Sequence, residues 1–214
     1  MNKETISLAK QIAAELLRIG AVHLRPDQPF VWTSGLKSPI YCDNRITMSH
    51  PDVRRQITDG FVRVIRSRYP QADLVAGTAT AGIPHAAWVA DRMELPMIYV
   101  RDKAKGHGRQ NQIEGELTPG KKVVVIEDLI STGGSSLKAA QAVQAEGGVV
   151  LGVVAIFSYQ FPKAEALFRD AGIEMTTLSG YTALLEAAKE QQVITAEQER
   201  LLAAWRETPE TFFS

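Results

Sequence analysis

Only one cysteine, Cys42, stands among 214 residues, which excludes an internal disulfide and suits a reducing compartment. An excess of charge of either sign is missing as well. Lys plus Arg equals Asp plus Glu at 24 each, so no general attraction toward nucleic acid or an anionic membrane is expected. Any anion site must therefore be built locally. No apolar run approaches the roughly 20 residues that span a bilayer. The N-terminus, Met1-Asn2-Lys3-Glu4, lacks the basic-then-apolar pattern of a secretory signal. No repeat, low-complexity tract or linker divides the chain. His23, His50 and His85 show no metal-ligand spacing and are expected to be structural or solvated, and Cys42 lacks the partners of a nucleophile. These absences leave a cytoplasmic enzyme as the default, with a core large enough to need no disulfide or metal staple.

What is present reads as a helix, a polar stretch, and then an alternating core. Ile6, Ala9, Ile12, Ala13, Leu16 and Leu17 recur at helical spacing, so a helix is expected near residues 4–19. A Pro- and Gly-marked stretch, 23–44, precedes a second helix opening at Ser49-His50-Pro51. From residue 72 onward, apolar runs at 74–76, 97–100, 123–126, 149–156 and 173–178 alternate with helical segments at 83–93, 135–146 and 162–171. That alternation predicts an α/β fold with a mostly parallel central sheet flanked by helices. Trp88 and Met93 fall at helical spacing with Val89 and are expected in the core. Thr195 with Gln198 forms a candidate capping box before Leu201, Leu202 and Trp205. The expected organisation is a single domain, 1–214: an N-terminal hood (mainly 1–50), an α/β core (about 70–180) and C-terminal helices (181–214).

The most informative segment is Val123-Val124-Val125-Ile126-Glu127-Asp128-Leu129-Ile130-Ser131-Thr132-Gly133-Gly134-Ser135-Ser136. A buried strand delivers two carboxylates to its C-terminal edge, where open α/β sheets bind ligands. The small-residue loop behind them opens a helix, so its N–H groups can approach an anion while the helix N-terminus adds favourable electrostatics. In isolation Ser-Thr-Gly-Gly is a tight turn beside exposed carboxylates. In this order it suits a ligand with a phosphate a few ångströms from a pair of hydroxyls. Gly77-Thr78-Ala79-Thr80-Ala81-Gly82 has P-loop glycine spacing but Ile83-Pro84 where Lys-Ser/Thr is required, and no Rossmann glycine pattern follows a strand.

The 123–136 segment resembles the motif by which type I phosphoribosyltransferases bind phosphoribosyl diphosphate (PRPP). The resemblance implies that Glu127 and Asp128 engage the ribose hydroxyls, and that Leu129, Ile130, Ser131, Thr132, Gly133, Gly134 and Ser135 form the 5′-phosphate loop. Many members carry two aspartates, so Glu127 keeps the charge with a longer side chain. The 77–82 segment corresponds to the loop that contacts diphosphate, with Ala81 where many orotate enzymes have lysine. Mg²⁺ is implied as the cofactor, held mainly by PRPP and water.

Two further segments resemble the orotate-specific branch of that family. Arg101-Asp102-Lys103-Ala104-Lys105-Gly106-His107-Gly108-Arg109-Gln110-Asn111 could by itself be only a charged loop. It closely resembles the flexible catalytic loop of orotate phosphoribosyltransferases, and Arg101, Lys105 and His107 match its functional positions. Asp102 departs from the family's second lysine, with Lys103 as a substitute. The resemblance also implies that each loop serves the neighbouring subunit of a homodimer. The run Phe30–Arg45 could be a surface hairpin with Trp32 and Tyr41 packed inward, but its Ser-Gly-x-Lys-Ser-Pro-x-Tyr pattern resembles the orotate-side hood. Tyr41 would then lie beside the pyrimidine, Lys37 or Arg45 would attract its carboxylate, and Ser131 would touch the base. The lysine and arginine of some relatives are replaced by Thr33 and Tyr159, so neither role transfers. A same-fold transferase for another base and a non-catalytic RNA-binding regulator are the competing readings. Neutral charge and the basic loop weigh against the second. The expected reaction joins orotate to the ribose of PRPP and releases diphosphate, as in pyrimidine (UMP) synthesis.

Overall fold

The structure, a computed structural model, describes residues 3–32, 35–102 and 112–213, with side chains from residue 7 onward. Helix α1 (Lys3–Arg18) buries Ile12, Ala13 and Leu16. Four short strands follow: β1 (Val22–Leu24), β2 (Phe30–Val31), β3 (Lys37–Ser38) and β4 (Ile40–Cys42). They form two antiparallel pairs, β1–β4 and β2–β3, separate from the main sheet. Asp43 then caps a 3₁₀ helix (Asn44–Ser49) by accepting from the Arg45 N–H at 3.1 Å. Helix α2 (Pro51–Arg68) starts on Pro51, whose missing N–H costs nothing in a first turn.

The core contains β5 (Leu74–Thr78), α3 (Gly82–Met93), β6 (Met97–Val100), β7 (Ile113–Glu114), β8 (Lys122–Ile130), α4 (Gly134–Ala145), β9 (Val149–Ser158), α5 (Pro162–Asp170) and β10 (Met175–Gly180). Helices α6 (Tyr181–Glu190) and α7 (Ala196–Glu207) complete the chain. The sheet order is β10-β9-β8-β5-β6-β7, parallel throughout except for β7 at the edge. Because side chains alternate along a strand, β8 feeds both faces. Val124 and Ile126 join the core under α1, α2, α3 and α6, while Val123 and Val125 join the one under α4 and α5. The capping box forms as read: Thr195 Oγ1 accepts from the Gln198 N–H at 3.2 Å, and Gln198 Oε1 accepts from the Thr195 N–H at 3.0 Å. No described helix is long and apolar enough to cross a membrane.

Two expectations and one alternative need correction. The strand expected at 123–126 continues through the acidic pair to Ile130, because β9 also runs on and pairs Glu127 with Ala155 and Leu129 with Phe157. Trp88 is only half-buried; its ring carries the Arg54 guanidinium 4.8 Å above it, at the seam of α2 and α3. Tyr41 is 42% exposed and does not pack inward. Trp32, half-buried, lies in an aromatic group with Tyr159, Phe161 and Trp205, each ring within 6.4 Å of another. Trp205 is fully buried there and donates its indole N–H to the Lys37 carbonyl at 3.3 Å, tying α7 to the hood.

Candidate functional site

The strand order locates the site before any side chain is considered. Chain order among the parallel strands reverses between β5 and β8, and at such a switch point a crevice opens beyond the strands' carboxyl ends. Thr78 ends β5 there, and Glu127 and Asp128 lie near the end of β8. The two strands separate after Gly77 pairs with Ile126, so β8 overhangs its neighbour with the acidic pair on the overhang. Helices α3 and α4 both start at this rim, and neither has a side-chain cap. Uncapped first-turn N–H groups carry partial positive charge and bind anions.

Glu127 is 7% exposed, and both its oxygens are occupied. Oε1 accepts from the Thr78 hydroxyl at 2.6 Å and the Asp128 N–H at 2.9 Å; Oε2 accepts from the Ser136 hydroxyl at 2.9 Å. One carboxyl therefore joins the end of β5, the end of β8 and the first turn of α4. Burial, reinforced by the neighbouring Asp128, pushes its pKa up to about 8. Asp128 is half-buried, and burial raises its pKa too, against hydrogen bonds with Glu127 and the Leu129 N–H. Its carbonyl accepts from Asn44 Nδ2 at 2.7 Å, which docks the hood onto the strand tip.

The loop behind the pair needs its glycines for different reasons. Gly133 has φ of +83° at the N-cap of α4, a left-handed backbone that suits a residue without Cβ. A Cβ on Gly134 would meet nothing within 4 Å, so the backbone there faces open space. The side chain of Ile130 is fully buried, so any contact it makes with a phosphate must come from its backbone. Cavities flank this loop on both sides. One of about 480 Å³ is lined by Thr78, Ala79, Arg101, Glu127, Ser135 and Lys138. The other, about 960 Å³, lies under the hood against Trp32, Leu36, Ser131, Thr132, Phe161 and Lys163.

The expected site residues are thus only partly brought together. Glu127, Ser135 and Arg101 share the first cavity, where Arg101 Nη1 also lies 3.2 Å from Glu114 Oε1. Ser131 and Thr132 line the second. Lys37, Tyr41 and Arg45 line neither. Lys37 Nζ donates to the Phe213 carbonyl at 3.3 Å. Arg45 grips Asp43 with two bonds of 2.6 and 2.8 Å, which lower the Asp43 pKa. Tyr41 sits 5.7 Å from Phe30, ring to ring, on the surface. Lys105 and His107 lie outside the described residues. Sequence reasoning missed Asn44, Ser136 and Trp32 as site-forming groups. Ser136 follows the loop at the start of a helix and was within reach of such reasoning; Asn44 carried no signal, because its partner is 84 positions away. Among the described residues, no group of three His, Cys, Asp or Glu side chains is placed to hold a metal ion.

Comparison with known proteins agrees with this geometry. Residues 49–174 match the family described as phosphoribosyl transferase domain. The orotate phosphoribosyltransferase of Enterococcus faecalis is 55% identical over 205 residues, covering 96% of this chain and 98% of that protein. Among solved structures, UMP synthase of Leishmania donovani superimposes with a TM-score of 0.78 at 28% identity, over 92% of this chain and 42% of that longer one. Orotate phosphoribosyltransferase from Aeropyrum pernix gives a TM-score of 0.75 at 28% identity, over 86% of this chain and 99% of that one.

Proposed function

Because this chain belongs to the phosphoribosyltransferase family, in its orotate phosphoribosyltransferase branch, we propose that it transfers the 5-phosphoribosyl group of PRPP to orotate, giving orotidine 5′-monophosphate and diphosphate in pyrimidine (UMP) synthesis. The observation that carries this reading is the acidic overhang of β8 at the switch point, set beside the uncapped, glycine-led N-terminus of α4. Carboxylates accept from vicinal hydroxyls and helix-start N–H groups donate to a phosphate, so side by side they suit a ribose 5-phosphate.

In this mechanism Asp128 holds the ribose hydroxyls and Glu127 supports it from beneath while keeping Thr78 and Ser136 in place. The loop from Leu129 to Ser135 receives the 5′-phosphate, and the 79–81 turn receives diphosphate through backbone N–H. Orotate enters on the hood side, with Ser131 against the base and Trp32 and Phe161 as apolar walls. Lys37, Tyr41 and Arg45 reach the base only after leaving the partners they hold here. The base nitrogen attacks the anomeric carbon as the bond to diphosphate breaks. The protein contributes alignment of the two reactants and cationic stabilisation of the departing oxygens by Arg101, Lys105 and His107. Mg²⁺ would neutralise diphosphate charge while bound mainly to PRPP and water. The Asp128 carboxylate beside the ribose position is chemically compatible with it, whereas both Glu127 oxygens are already occupied. The chain acts as one domain, in the cytoplasm, as a homodimer whose basic loops complete each other's sites.

A spectrophotometric assay of PRPP-dependent orotate consumption tests the reaction, with adenine and xanthine as competing bases. Turnover of a purine in place of orotate would reject the base assignment. For the shared site, inactive Lys105→Ala and Asp128→Ala chains are mixed and allowed to exchange subunits. Activity should return, since the hybrid holds one undamaged site; confirmed exchange without recovery places the loop in its own chain's site.

A further inference from the structure

The hood contains one fully buried polar side chain whose long-range partner, among the described residues, is the acidic strand tip. Asn44 opens the 3₁₀ helix and is 0% exposed. Its amide Nδ2 lies 2.7 Å from the Asp128 carbonyl oxygen, and its Oδ1 lies 3.4 Å from Cys42 Sγ. These neighbours fix the amide's orientation, because a carbonyl demands a donor and a protonated thiol supplies one. Burial pushes the Cys42 thiol well up, so it retains that proton.

The location gives the bond its importance. Up to Ile126, β8 is held between two strands; beyond that point β5 is gone and only β9 remains beside it. Past the Glu127 side chain, which still reaches Thr78 and Ser136, the strand end has a single ladder partner, and Asp128 sits on it. The Asn44 amide supplies a hydrogen bond to that overhang from outside the sheet. Asn44 is anchored in turn. Its own carbonyl accepts from the Thr47 hydroxyl at 2.5 Å, and Thr47 Oγ1 lies 3.4 Å from Nε2 of buried His85 on α3. Since the Thr47 proton is already committed, His85 must donate through Nε2. The chain of bonds therefore runs from α3, just behind the 79–81 turn, through the hood to the acidic tip.

We propose that Asn44 is a positioning residue for phosphoribosyl transfer: its amide clamps the overhanging end of β8 to the hood and so sets where the Asp128 carboxylate meets the ribose. This rests on the PRPP reading above. An amide that fixes a backbone carbonyl limits where the carboxylate, one methylene from that backbone, can sit, and small displacements of a substrate-holding group are costly. Losing it should weaken PRPP more than orotate.

The test compares wild type with Asn44→Leu, which keeps the shape but removes the donor, and with Cys42→Ala, which removes the other partner of the same amide. PRPP binding with Mg²⁺ is measured by calorimetry without base, and KM values for PRPP and orotate are measured separately. Asn44→Leu is expected to weaken PRPP binding at least tenfold while the orotate KM stays within twofold, and Cys42→Ala should leave PRPP binding within twofold. Should Asn44→Leu fail to fold, Asn44→Ala, which has no donor at that position, decides by the same criterion. Unchanged PRPP affinity in a folded variant, equal losses for both substrates, or an equal loss in Cys42→Ala would overturn the proposal. A wild-type protein that binds no PRPP removes the functional reading itself, and this inference with it.

Discussion

Gly82 offers a sharp test of how closely the site is assembled. It is the first residue of α3, and a Cβ there would stand 2.4 Å from Thr78 Oγ1 and 2.5 Å from the Ile126 carbonyl oxygen. Real Cβ atoms essentially never approach within 3.0 Å, so Gly82→Ala forces the helix start back by about half an ångström from a backbone atom that cannot rotate away. Thr78 can turn its hydroxyl aside, but only by giving up its 2.6 Å bond to Glu127. Overpacking of this kind costs about 1–3 kcal/mol, and the rigid partner places this case near the upper end. For a chain of this length, each kcal/mol lowers the melting temperature by roughly 2–4 °C, so a fall of about 6–12 °C is expected by differential scanning calorimetry. The same shift moves the 79–81 turn, and kcat/KM for PRPP should drop about tenfold, in keeping with the sensitivity of catalysis to displacements near 1 Å. Gly134→Ala is the control. Its Cβ would meet nothing within 4 Å, so the melting temperature should stay within about 2 °C of wild type. If Gly82→Ala melted with wild type, the close approach of α3 to the strand tips would be refuted.

Asp128→Asn should lower kcat/KM for PRPP by about a hundredfold or more with little change in melting temperature; ordinary kinetics would reject its ribose role. Glu127 gives a pH signature. Its ordinary pKa of 4.5 holds in the unfolded chain, while the folded value is about 8. Between those limits the native state binds more protons, so this group makes stability fall as pH rises from about 4.5 to 8 and adds no further slope above. The difference in melting temperature between wild type and Glu127→Gln should therefore drift across that window, and parallel profiles would contradict the assignment. Taking the difference also cancels His85, which burial holds neutral down to about 4 and whose slope runs the other way. Trp205→Ala should cost about 3–5 kcal/mol from cavity formation, measurable by urea titration; a loss below about 1 kcal/mol would mean that the aromatic group does not anchor α7.

Much of the core could be read from local pattern, because its information is local. Apolar runs marked the five parallel strands, Pro51 marked the start of α2, and Thr195 with Gln198 marked α7. Strand ends were harder. The extension of β8 to Ile130 depends on β9 running equally far, and nothing near Glu127 announces that. Glu127 illustrates the same limit at the site. Its acidity and place at a strand end were legible, but its enclosure by Thr78 and Ser136 depends on two other elements arriving there. In the hood, the resemblance suggested Lys37 or Arg45 as the cation for the orotate carboxylate, whereas each already has a partner in the folded chain. Asn44 had no local mark at all; its bond spans 84 positions.

The indole bond from Trp205 to the Lys37 backbone has a consequence for the order in which damage would spread. The last helix is the outer buttress of a wall whose inner surface faces the cavity under the hood, the proposed entrance for the base. Nicking or trimming the tail should loosen that entrance first and leave the sugar-phosphate seat intact. Loss of fidelity toward the base would then precede loss of grip on the activated sugar.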